Sequence, residues 1–84
     1  MREAIEVGFQ AYTTDGGDPF GAVRDVDLAG GSITIYVENS GDFIVPAAAI
    51  ASVHSQKVVI ALDRVDPRVR DAIIHAHDAE EPGL

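Results

Sequence analysis

The chain contains no cysteine. That excludes a disulfide framework, a thiolate nucleophile and a Cys-ligated zinc site. Small secreted domains commonly rely on such staples, so their absence points towards the cytoplasm. Basic residues are also scarce. Arg2, Arg24, Lys57, Arg64, Arg68 and Arg70 stand against 14 carboxylates, for a formal net charge of −8. Nucleic-acid binders draw most of their affinity from a basic face that neutralises phosphates. Here Arg64, Arg68 and Arg70 sit among Asp63, Asp66 and Asp71, so no nucleic-acid partner is expected. Anionic membrane surfaces are disfavoured for the same reason. No apolar run approaches the ~20 residues that a membrane span requires, and membrane insertion is not expected. The opening MREAIEVGF has neither the basic nor the apolar region of a signal peptide.

Motifs that commit to a chemistry are missing as well. There is no G-x-S-x-G elbow, and His54 between Ser52 and Ser55 is adjacency in sequence rather than triad geometry. TTDGGDPFG is glycine-rich but lacks the Gly-Lys-Ser/Thr ending of a phosphate loop, and Asp15 and Asp18 would repel phosphate. Asp25 and Asp27 share a face only if their strand is regular; a bulge separates them. The expectation is a protein that is not an enzyme and needs no cofactor.

What the sequence does contain is β patterning. Ile5, Val7, Phe9 and Ala11 alternate with polar or small residues, which predicts a half-buried strand. A turn over TTDGGDP follows. In FGAVRDVDL, Val23 and Val26 are three apart, and a β-bulge at Arg24-Asp25 would bring both inward. Gly30-Gly31 signals a hairpin. Ile33, Ile35 and Val37 then alternate with Thr34, Tyr36 and Glu38 in the clearest strand of the chain. ENSGD reverses the direction, FIVP runs back to Pro46, and AAAI makes a single helical turn. IASVH and KVVIAL read as a further hairpin across Ser55-Gln56, with Val58, Ile60 and Leu62 on one face.

The period changes after Asp63. Asp66 is a candidate N-cap, Pro67 suits the first helical position, and Val69, Ala72, Ile73 and Ala76 form one apolar stripe. Pro82-Gly83 ends the pattern. The expected organisation is a single domain, 1–84, with a β-barrel over 5–62, a helix over 66–79 and a tail over 80–84. The fold class is mainly β: a small six-stranded, strongly bent antiparallel barrel with one C-terminal α-helix.

The stretch from Gly8 to Leu62 resembles a PRC-barrel domain. The resemblance rests on Gly8, on Asp15-Gly16, and on Gly21-Ala22-Val23-Arg24-Asp25-Val26 as a G-x-V-x-D-V motif. It continues through the strand Ile33 to Val37, Val45-Pro46, Ile50, Val53 and VVIAL. One spacing departs from the pattern: four residues, 17–20, separate Gly16 from Gly21, where the family has three. Either Gly17 takes the role of the turn glycine or Pro19 marks an insertion. The resemblance implies a small barrel that docks on larger proteins or complexes and carries no shared catalytic residues.

HAHDAEE, residues 75–81, tests the reading against a metal site. On a helix, His75 and His77 lie about 200° apart around the axis, so they cannot share one ion. A frayed, solvated helix end is the simpler account, since the acidic DAEE sits at the end the helix dipole disfavours. The expected function is therefore a non-catalytic protein–protein interaction or assembly module, with homodimerisation among its forms. Tyr36, Ile74 and Phe20 are the candidate interface residues. Phe20 weighs towards the core and Tyr36 stands between core and surface. The alternative is a small-ligand or metal-responsive domain using His54, His75 and His77.

Overall fold

The alternation of Ile33, Ile35 and Val37 with Thr34 and Tyr36 becomes the organising strand of the structure. The computed structural model describes residues 4–14, 16–27 and 29–76. Its strands are β1 (Gln10–Tyr12), β2 (Gly21–Asp27), β3 (Ser32–Val37), β4 (Gly41–Pro46), β5 (Ile50–His54) and β6 (Lys57–Ile60). They form one six-stranded sheet in the order β4-β3-β2-β1-β6-β5, curled into a half-barrel. Inside the curl lie Val23, Ile33, Ile35, Val37, Val45, Val58 and Ile60. Each such aliphatic side chain contributes about 1.5–3 kcal/mol relative to leaving it in water.

The bulge expected in β2 is present. Val23 pairs with Ile35 and Asp25 with Thr34, so Arg24 is the extra residue. Its insertion returns Val26 to the core side and leaves Arg24 and Asp25 exposed. The β3–β4 hairpin turns through Asn39 and Gly41, both at positive φ, and the β5–β6 hairpin through Ser55 and Gln56, at φ 53° and 64°. The glycine turn between β2 and β3 is longer than a two-residue hairpin: Asp27 pairs with Ser32, and Asp27 Oδ1 accepts from the Gly30 N–H at 2.9 Å.

Three expectations need correction. The first strand starts at Gln10 rather than near Ile5, because Gly8 takes φ +99° and the Phe9 N–H donates back to the Glu6 carbonyl. Val7 is consequently 64% exposed, while Ile5 and Phe9 pack on the core only in part. The sheet is also mixed rather than antiparallel, since β1 runs antiparallel to β2 but parallel to β6. After Pro46 a 3₁₀ turn, Ala47–Ala49, carries the chain across to β5, and the β5–β6 hairpin then docks through β6. β6 carries an almost unbroken buried run, Val58-Val59-Ile60, as a strand covered on both faces does.

The third correction concerns the helix. α1 spans Pro67–Ile74, with the Asp66 side chain accepting from the Arg68 N–H at 2.8 Å. Of the expected span 66–79, α1 is capped at His75, and the Ala76 carbonyl is held by the Asn39 side-chain amide. Residues 77–84, including His77 and the expected tail, lie outside the described residues. Val69, Ile73 and Ala76 enter the core cluster, so α1 packs on the apolar interior of the half-barrel.

Candidate docking surface

The same alternation that buries Ile35 and Val37 turns Tyr36 outward. Its Cα partner across the ladder is Asp42 on β4, and on β2 it is Ala22. The bulge delivers Arg24 to this outer face. The Arg24 guanidinium lies 5.5 Å from the centre of the Tyr36 ring, and Arg24 Nε is 3.5 Å from Asp42 Oδ1. Tyr36 is thus held between a cation over its ring and a carboxylate beside it, yet remains 38% exposed. An exposed pair of this kind adds at most about 1 kcal/mol; its effect is to orient an aromatic side chain on a rigid sheet.

Ile44 pairs with Thr34, which puts it diagonal to Tyr36 on the same outer face, 70% exposed. This residue was not singled out from the sequence. Phe43, Ile44 and Val45 read as one apolar run in the sequence, and the ladder is what puts Ile44 outward and its two neighbours inward. Beside β4 the surface dips into a groove of about 430 Å³ lined by Asp42, Phe43, Ile44, Asp66, Arg68 and Val69. β4 forms one wall and the first turn of α1 the other.

The remaining candidates fall elsewhere. Phe20 is 3% exposed and belongs to the core, so it is not a surface anchor. Its N–H donates to the Ala11 carbonyl at 2.8 Å and its carbonyl accepts from the Glu38 N–H at 3.0 Å, which seats the ring inside the curl. Ile74 is 58% exposed on α1, a different element from Tyr36 and Ile44. Asp27 is occupied in the turn before β3, and Asp25 is exposed at the bulge.

The histidines do not converge in any described site. His54 ends β5 opposite Lys57. His75 caps α1, with Nε2 3.5 Å from Asp71 Oδ1 one turn earlier. Among the described residues, no three His, Cys, Asp or Glu side chains gather as a metal ion would require. No described helix is long and apolar enough to cross a membrane. Comparison with protein-family models, with curated proteins and with solved structures finds no match to this chain.

Proposed function

We propose that this chain is a non-catalytic protein-binding module of PRC-barrel type that docks a partner on the outer face of β2, β3 and β4. One observation carries the reading: Tyr36 and Ile44 stand exposed side by side on a sheet whose other face is the core. Arg24 and Asp42 flank Tyr36. An oriented aromatic, a neighbouring aliphatic and a charged rim are the composition of an interface centre. Two exposed large side chains on a rigid support also lose little conformational freedom on binding, which limits the cost of association. The lack of cysteine supports a cytoplasmic setting, and self-association through the same face is one form the docking would take.

The test compares the wild-type chain with a Tyr36→Ala, Ile44→Ser double variant. Both are used to retain proteins from lysate of the source organism and are run by analytical ultracentrifugation. The variant should lose a saturable partner, or a dimer, that the wild type holds, while its melting temperature stays within about 2 °C. Equal retention and equal oligomeric state in the two would refute this choice of surface.

A further inference from the structure

Among the described residues the β4 edge is open, and its unpaired chemistry specifies what would fit there. Among the described residues β4 pairs only with β3. The Ala47 N–H donates to the Gly31 carbonyl at 2.8 Å, which fixes the phase of that ladder. Bonded and non-bonded pairs alternate in an antiparallel ladder. Counting back along Ser32↔Pro46, Ile33↔Val45, Thr34↔Ile44, Ile35↔Phe43 and Tyr36↔Asp42, residues Val45 and Phe43 bond to β3. Asp42 and Ile44 therefore direct both N–H and C=O away from the sheet, beside the groove. Pro46 ends the row, because it offers a carbonyl but no N–H.

Resting on the protein-binding reading above, we propose that this edge takes up an extended segment of a partner protein as an added antiparallel strand. The pairing dictates the segment's chemistry. The residue opposite Phe43 points inward, into the groove against Phe43 and Val69, and is apolar. The residue opposite Ile44 lies on the outer face and is β-branched. The residue opposite Asp42 lies on that face too and is basic, since it stands beside the Asp42 carboxylate, which is half exposed and shared with Arg24 at 3.5 Å, on a chain that carries −8 overall. Read from its N-terminus, the segment is β-branched, apolar, basic. Main-chain bonds supply affinity and the alternating side chains supply selectivity.

A second copy of the chain fits less well. A two-fold β4–β4 pairing centred on Ile44 sets Asp42 opposite Pro46, losing a ladder bond at each end, and brings two acidic surfaces together. The opposite edge is also less suited, because β5 is bulged between Ile50 and Ser52, a device that protects edges.

The experiment is a titration of the ¹⁵N-labelled chain with a seven-residue, end-blocked peptide whose central residues are valine, leucine and arginine. Two controls accompany it. One is the same peptide N-methylated at the valine and the arginine, which keeps the side chains but removes the strand donors. The other is the Ile44→Pro variant, which deletes an outward N–H without touching the β3 ladder. The expected result is saturable binding with the largest shifts at the Asp42 and Ile44 amides, weakened at least tenfold by either control. If the N-methylated peptide binds equally well, strand addition is overturned while the wider docking reading stands. Absence of any shift at millimolar peptide overturns the proposal, and the retention assay then decides the wider reading alone. Movement of the Asp42 and Ile44 amides with protein concentration, without peptide, makes a second copy the occupant and also overturns it.

Discussion

Adding one methyl group at Gly21 should weaken this protein severely. Gly21 pairs with Ala11 on β1 and Val37 on β3, at the middle of the sheet. A Cβ built there would overlap the Tyr36 carbonyl oxygen, and would lie 2.9 Å from its carbonyl carbon and 3.3 Å from Val37 Cα. Every obstructing atom is backbone of β3, so no rotamer change relieves the clash. Either β3 retreats and its bonds to β2 lengthen, or β2 twists away from β1. Overpacking typically costs about 1–3 kcal/mol, and each weakened ladder bond about 1 kcal/mol more. Set against this is a gain of about 0.4–1 kcal/mol from the stiffer unfolded chain. The net expectation for Gly21→Ala is a loss of roughly 3 kcal/mol, a large share of the ~5–15 kcal/mol that stabilises a small domain. With a urea slope of about 1 kcal/mol/M, the midpoint should fall by about 3 M in denaturation followed by circular dichroism. Gly31→Ala is the control: Gly31 has φ +70° but open space where a Cβ would go, so only backbone strain of about 1–2 kcal/mol applies. A Gly21→Ala midpoint within 1 M of wild type, or above that of Gly31→Ala, would refute the close approach of β2 and β3.

Two further outcomes follow from other parts of the molecule. Ser55 and Gln56 hold φ 53° and 64° without glycine, so Ser55→Asn with Gln56→Gly should raise stability by about 1–2 kcal/mol, measured as an increased urea midpoint. A decrease would show that the Ser55 or Gln56 side chain matters more than the backbone strain. Zinc, nickel or chelator should leave the melting temperature unchanged, since a ligand that binds the native state raises it by mass action. A rise of several degrees with one metal, abolished by His54→Ala or His75→Ala, would instead establish the histidine-based alternative.

Local features of the fold were legible where a residue's own chemistry decides the geometry. The three-residue spacing of Val23 and Val26 announced the bulge, and Asp66-Pro67 announced the start of α1. The alternation through β3 sent Tyr36 outward and Ile35 inward. What failed depended on the rest of the molecule. Ile5 to Ala11 alternates as a strand should, yet Gly8 at φ +99° turns the chain and leaves Val7 in solvent, even though the Gly8 N–H and the Phe9 carbonyl still bond to Val23 on β2. The parallel pairing of β1 with β6 joins residues far apart in sequence, and no local period encodes it. Phe20 follows a turn proline, where exposure and burial look alike until the curl of the sheet closes over the ring. Ile44 was hidden differently: FIVP reads as one apolar run, and only the ladder assigns its second residue to the outer face. The groove beside it has no sequence signature, since its walls come from β4 and α1.

The position of β1 also sets the order in which the sheet is completed. β2, β3 and β4 are neighbours in sequence, as are β5 and β6, so each group assembles through short loops. Among the described residues the two groups are joined into one sheet through the three residues of β1, which must find Lys57 to Val59 after a long stretch of intervening chain has been ordered. On a translating ribosome β1 is made first but stays half-paired until β6 emerges. The clasp between Gln10–Tyr12 and β6 is then the last hydrogen-bonded row to close. A row that closes last should also open first, so its amides should exchange through that partial opening while the β2–β3 and β3–β4 rows stay protected.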